Sequence, residues 1–571
     1  MEVLKGTATS SGIASGEVYI WTGGETPEIP RYKFRRIEDG EREWARFLAA
    51  VESEVKRKER QVEQILKTNK TETDLLKSQI MMLEDIELHD QIHEHIFEKN
   101  ENAEWAAWDV SRALAQTLFK SQNAYLRERA IDIAGIGNEL IYRLLGTERP
   151  VLEKLAKDVI IVAHDISPSD AIGMDKKHVR ALALDAGSAV CHTAILARSF
   201  EIPAVMGLGN ITQKVKNGDF LIVNAISGEV FINPDEETVK HYQKTARTRN
   251  KSMFSKLETM RDVEAITKDG VRITIKANIE LSGEAEKAYQ YGAQGIGLYR
   301  SEFLFLAPGR PPEEETQYLA YSAVVKVSKG APVTIRTIDI GGDKIAPTLY
   351  EAEEKNPLLG WRAIRFSLAN PELFKTQLRA ILRASALGPV RIMFPMISGK
   401  EELELALKFL EEAKLECKSK KQKFDKNIMA GTMIEVPSAA IIADSLAPMV
   451  SFFSIGTNDL LQYSIAVDRG NEKVSYLASP MHPAVLRLIK ITLDAAHNAG
   501  ITAAVCGQIT EDCSMTALLT GLGADELSMT AIAIPKIKSV IRSLSAKECR
   551  ELAENALNCG SASEVKALLK N

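Results

Sequence analysis

The sequence contains no apolar run approaching the roughly 20 residues that a membrane-spanning helix needs. Its opening, MEVLKGTATSSGIASG, lacks the basic stretch and the long apolar stretch of a secretory signal. Neither sign of charge dominates. The 72 Lys and Arg nearly cancel the 77 Asp and Glu, leaving −5, so nothing global favours nucleic acid or a membrane surface as partner. Cysteine is sparse: six residues, at 191, 417, 506, 513, 549 and 559, form no CxxC pair and no zinc-like spacing. Such usage in a chain of this size fits reduced thiols, and a soluble, cytoplasmic protein is the expectation.

With 571 residues, 45% hydrophobic and 26% charged, the chain is too long for one core and should build several domains. Four regions separate by pattern. Met1 to about Gly24 is β-like. From about Pro30 to Gly146 the chain is charged and almost free of Gly and Pro until Ala134-Gly135-Ile136-Gly137. There Leu76, Ile80, Leu83, Ile86 and Leu88 recur at helical spacing, which predicts a helical bundle. His89, His93 and His95 invite a metal reading, but no further ligand is set by spacing, and a solvated helix face is the better expectation. From about Leu152 to Asn233, short β-branched strands alternate with turns around the helical run TAILARSFEI, a small α/β domain. A charged, helix-forming connector follows, from Pro234 to Asp262.

The last region, from about Ala265, is the most legible. RITIKANI, GIGLYR, PVTIRTIDIG, VRIMFPMI, IMAGTMIEVP, FFSIGTND, ITAAVCGQ and ADELSM read as strands, with helical segments between most of them. Eight strands alternating with helices predict a (β/α)8 barrel. Such barrels place chemistry at the C-terminal ends of their strands. Those ends carry Asn278, Arg300, Arg336 with Asp339, Met396, Glu435, Asn458 with Asp459, Cys506 with Gln508, and Ser528. Arginines clamp phosphate or carboxylate through paired hydrogen bonds, and carboxylates with substrate oxygens suit magnesium. The mouth therefore reads as a site for an anion and a divalent cation. Cys506, ending an apolar strand, is either a small buried residue or a proton donor to a carbanion or enolate.

His192 lies where a Gly-containing loop, Asp185 to Cys191, meets the helical run, and backbone N–H groups at a helix start stabilise phosphate. The run HTAILARSFEIPAVMG resembles the phosphohistidine domain shared by enzyme I, pyruvate phosphate dikinase and phosphoenolpyruvate synthase. GIGLYRSEFLF, IRTIDIGGDK, NPLLGWRAIR, RIMFPMI, FFSIGTNDLLQY and VDRGN resemble the same family's barrel. The order of segments, with the helical insertion SQIMMLED and no ATP-binding domain in front, is that of enzyme I of the phosphotransferase system. The resemblance implies an α/β multidomain protein. Its parts would be an α/β phosphohistidine domain (1–24 and 147–233), a helical carrier-binding insertion (25–146), a helical linker (234–262) acting as a swivel, and a barrel (263–571) that also dimerises.

The resemblance also implies roles. His192 would take phosphate from phosphoenolpyruvate and pass it to a histidine on the carrier HPr. Arg300, Arg336, Arg362, Asn458, Asp459 and Arg469 would bind substrate, Glu435 and Asp459 would hold Mg2+, and Cys506 would protonate the enolate to pyruvate. The sequence departs from the family at several points. The usual Gly-Gly-Arg/Lys-Thr-Ser-His reads Gly187-Ser188-Ala189-Val190-Cys191-His192, Ala171 stands where a threonine is common, and Cys-Gly-Glu reads Cys506-Gly507-Gln508. These changes support a second reading, a regulatory or docking homologue with impaired transfer.

Overall fold

The computed structural model describes residues 2–569 apart from 11, 22–28, 66–75, 77–78, 120–123, 147–151, 153–154, 156, 167–169, 171–173, 176, 188–191, 306–310, 342–355 and 469–473. It divides into two compact units, 1–250 and 251–571. Among the described residues, no helix is long and apolar enough to cross a membrane.

The first unit contains a mixed eight-stranded sheet. Its strands are β1 (Glu2–Lys5), β2 (Thr7–Ser10), β3 (Ile13–Trp21), β4 (Val159–Ala163), β5 (Val179–Leu184), β6 (Ala204–Met206), β7 (Phe220–Asn224) and β8 (Glu229–Ile232), ordered β1-β8-β7-β3-β4-β5-β6-β2. The sheet is thus completed by segments from both sides of the helical insertion, with β3 parallel to β4. All five residues of β4 are buried, as expected of a central strand covered on both faces. Ile161 and Leu182 pack on one face, and Ile160, Val162 and Val223 on the other. The three-residue β6 has no distinct sequence signal of its own.

Helices Ile37–Ile65, Ile86–Phe97, Ala103–Phe119 and Ala124–Leu144 form the insertion around Phe47, Leu83, Leu88, Ile92, Ile96, Ala106 and Leu140. Asp85 caps the second of these by accepting from the Leu88 N–H at 3.2 Å. The solvated-face expectation for its histidines holds only for His93, which is exposed. His89 is half-buried against the rings of Trp44 and Phe47, and His95 is buried beside Glu101. His89 meets Phe47 of another helix and His95 meets Glu101 beyond its own helix, neighbours that spacing along one helix does not reveal. The connector forms one helix, Glu236–Met260.

The second unit is a closed barrel of parallel strands: β9 (Thr274–Ile279), β10 (Ile296–Arg300), β11 (Val333–Arg336), β12 (Val390–Phe394), β13 (Met429–Ile434), β14 (Phe452–Gly456), β15 (Thr502–Cys506) and β16 (Glu526–Met529). Period two governs each strand. Ile275, Ala277, Val333, Ile335, Ile392, Phe394, Phe453, Ile455, Ala503, Val505 and Leu527 join the apolar core shared with the surrounding helices. Their neighbours Leu298, Met393, Met433, Phe452 and Cys506 form a separate cluster inside the barrel.

Deeper in the barrel sits a buried charge network. Lys276 Nζ lies 2.6 Å from Glu526 Oε2, and Arg391 Nη1 lies 3.3 Å from Glu526 Oε1. Burial, aided by Arg391, pulls the Lys276 pKa below its ordinary value, while Glu526 opposes the shift. Removing Glu526 would strand two cations. Glu526→Ala is therefore expected to lower stability by about 3–5 kcal/mol. Lys276→Met, which leaves Arg391 on Glu526, should cost clearly less. Guanidinium denaturation of the two variants checks the order, and equal losses would contradict it.

Candidate active site at the barrel rim

Register brings the strand-end residues to one rim: Arg300 pairs with Arg336 across β10 and β11, and Gly456 with Cys506 across β14 and β15. Asp339, three residues beyond β11, stands between two arginines. Arg336 Nη1 lies 2.7 Å from its Oδ2, and Arg362 Nη2 lies 2.7 Å from its Oδ1. Arg362 immediately precedes the helix Ala363–Ala369, and its second arm donates to the Tyr463 hydroxyl at 3.4 Å. Arg336 also lies 2.9 Å from Glu302 Oε1.

Carboxylate oxygens of Asp339, Glu435 and Asp459 all lie within 4.8 Å of one another, a group able to hold a metal ion. Glu435 is 1% exposed and accepts the Met396 N–H at 2.7 Å. Met396 (φ 56°) and Ala363 (φ 55°) are both held in the left-handed region beside this cluster, as strained residues at functional sites often are.

Electrostatics follows from this crowding. Burial first, then the negative charges of Asp339 and Asp459, push the Glu435 pKa well above the usual carboxylate range, with Arg336 opposing. Burial opposes the charge on Arg336, but Asp339 and Glu302 outweigh it and raise the pKa. Burial likewise pushes the Cys506 thiol up to about 11, so it stays protonated near neutrality. The thiol lies 3.3 Å from the Ile455 carbonyl, with the Ser454 hydroxyl at 3.7 Å. Gly507, at φ 108°, follows it, and an added Cβ there would collide with Thr457 and Asn458. Asn458 Oδ1 accepts the Gln508 N–H at 3.4 Å.

Among the residues expected from sequence, Arg336, Arg362, Glu435 and Asp459 therefore form one cluster with Asp339, and Arg300, Asn458 and Cys506 stand on the same rim. Arg300 is paired with Glu280. Arg469, Ala171 and the loop 188–191 lie outside the described residues. His192 opens the helix His192–Ser199 in the first unit, where Thr193 Oγ1 donates to the Ile166 carbonyl at 3.0 Å. Two site residues were missed by sequence reasoning. The sequence marks Asp339 as a strand-end group but not as a possible metal ligand, and it gives no signal for Glu302, although that residue follows Arg300 by two positions in GIGLYRSEFLF.

Paired arginines, a three-carboxylate cluster and a protonated thiol at a barrel mouth suit an enolate-forming reaction of a phosphorylated acid. Comparison with known proteins defines the class. Residues 255–546 match the family description "PEP-utilising enzyme, PEP-binding domain", 155–228 match "PEP-utilising enzyme, mobile domain", and 5–129 match "PEP-utilising enzyme, N-terminal". The chain is 39% identical to a phosphoenolpyruvate-protein phosphotransferase of Staphylococcus carnosus over 99% of this chain and 98% of that protein. It is 40% identical to the one of Listeria innocua over 99% and 98% of the two chains. It belongs to the phosphoenolpyruvate-protein phosphotransferase family. A solution structure of an Enzyme I protein (nEIt) aligns with 43% of this chain and 99% of its own at 37% identity, with a TM-score of 0.37.

The state of the thiol can be tested directly. Cys506, 3% exposed and with its pKa raised, should resist alkylation by iodoacetamide at about pH 8, while the half-buried Cys513 and Cys559 react. Peptide mass spectrometry against time reads this, and Cys506 labelling as fast as Cys513 would contradict it.

Proposed function

We propose that this chain is a phosphoenolpyruvate–protein phosphotransferase that phosphorylates its own His192, releases pyruvate and passes the phosphoryl group to a histidine of the carrier HPr, starting sugar uptake by the phosphotransferase system. The observation that carries the reading is the buried cluster in which Arg336 and Arg362 flank Asp339 beside Glu435 and Asp459. Arg300, Arg336 and Arg362, with Asn458 and Arg469, bind the phosphate and carboxylate of phosphoenolpyruvate. His192, with neutral imidazole, attacks phosphorus through Nε2, and the bond from phosphorus to the enol oxygen breaks. The Cys506 thiol gives its proton to the methylene carbon of the enolate, forming pyruvate, and solvent reprotonates the thiolate. Charge neutralisation and in-line positioning supply most of the acceleration in such transfers.

Three hard oxygen donors, one of them held above its ordinary pKa by burial and then by its neighbours' negative charge, fit a divalent cation. Glu435 and Asp459, with Asp339 beside them, would hold Mg2+. Such an ion would supply positive charge to offset the negative charge of the substrate. The same reading includes a homodimer formed through the barrel, a swivel along 234–262, docking of HPr on the helical insertion, and a cytoplasmic location.

Phosphoenolpyruvate labelled on phosphorus, mixed with Mg2+ and protein, should give acid-labile label on the wild type but not on His192→Ala. Pyruvate should form in step, and label should move to added HPr. A wild type that binds phosphoenolpyruvate yet stays unlabelled would point instead to a regulatory homologue disabled by the loop Ser188–Cys191. The cation reading is tested separately. The folded-state pKa of Glu435 is raised, so its proton stabilises the fold at acid pH, and that contribution is lost as pH rises through the folded value. Mg2+ should therefore raise the melting temperature at about pH 8 and have much less effect at about pH 5. An equal shift at both pH values, read by calorimetry, would argue against the site.

A further inference from the structure

We infer that Glu302 is a positioning residue for phosphoenolpyruvate binding, holding the head of Arg336 and the backbone of Asp339 through one carboxylate oxygen. The inference rests on the reading above that Arg336 contacts the substrate. Glu302 lies in the single-turn helix Ser301–Phe305 directly after β10. Its Oε1 accepts from Arg336 Nη2 at 2.9 Å and from the Asp339 N–H at 3.0 Å. The adjoining Ser301 grips the same segment from behind, its hydroxyl donating to the Arg336 carbonyl at 2.8 Å. Gln377 completes the hold: its Nε2 donates to Ser301 Oγ at 3.0 Å, and its Oε1 accepts the Ile338 N–H at 3.0 Å. Ser301 and Gln377 are both fully buried. Residues 336–339 are thereby fixed from two sides, and Glu302 reaches both the guanidinium and the turn that carries Asp339.

Two other roles fit less well. Glu302 is not in the carboxylate group whose oxygens lie within 4.8 Å of one another, so it is not placed as a metal ligand. A purely stabilising ion pair would also be redundant, because Arg336 already has Asp339 at 2.7 Å, and buried pairs gain little net stability. Glu302 Oε2 is buried and has no hydrogen-bond partner among the described residues, so a single oxygen makes these contacts. Holding a flexible arginine in one orientation before substrate arrives lowers the entropy lost on binding.

Reach and charge can be separated. Glu302→Asp keeps the charge but withdraws the oxygen by one methylene, whereas Glu302→Gln keeps an oxygen at full length and removes the charge. With Mg2+, HPr and varied phosphoenolpyruvate, Glu302→Asp should raise KM about tenfold or more, with a smaller change in kcat. Glu302→Gln should stay within about threefold of wild type in KM. Melting temperatures of all three proteins, measured without substrate, should agree closely. A wild-type KM in Glu302→Asp would overturn the inference, and so would a Glu302→Gln variant as impaired as Glu302→Asp. Calorimetric titration with phosphoenolpyruvate distinguishes the deeper failure. A wild type that does not bind it sinks the functional reading and this inference together, while a wild type and a Glu302→Asp variant that bind equally sink this inference alone.

Discussion

Asp339 takes one arginine on each of its carboxylate oxygens, and the rim of the barrel is organised around that bridge. In so buried a place an unpaired charge is untenable, so Arg336, Arg362 and Asp339 define one another's positions. Glu435 and Asp459 then add further negative charge beside these two arginines, and burial together with this crowding of carboxylates raises the pKa of Glu435. A cation and an anionic substrate bound together would relieve that crowding.

The barrel interior contrasts two kinds of buried charge. Near the start of the strands, Glu526 lies between Lys276 and Arg391, and the carboxylate is fully engaged. That network needs no ligand and reads as structural. At the opposite ends, carboxylates cluster beside arginines in a mouth bordered by left-handed, strained backbone. Closure of the sheet makes both arrangements possible, because parallel register sends like-numbered positions of neighbouring strands to the same level.

Much of this was legible beforehand for a definite reason. The barrel strands alternate outward apolar residues with inward ones, and most of them lead into a polar group, so both the fold and the rim can be read along the chain. Arg362 was different: it sits at a loop–helix junction with no strand to point to it, and only resemblance to enzyme I brought it forward. Glu302 escaped because a glutamate after a strand looks like any solvated turn residue until Arg336 and Asp339 arrive from another strand. The histidines of the insertion show the same limit, since the rings of Trp44 and Phe47 that cover His89 come from a different helix.

The sequence by itself determined the alternation of strands and helices, the helical insertion and the identity of the groups at the strand ends. Those properties depend on local periodicity and on side-chain chemistry, which neighbours in the chain specify. The tertiary structure alone decided which charges meet: that Asp339 joins two arginines, that Glu302 serves both Arg336 and the Asp339 backbone, and that Glu526 lies between two cations. Those pairings join residues far apart in the chain, and their energies depend on burial that exists only once the barrel has closed.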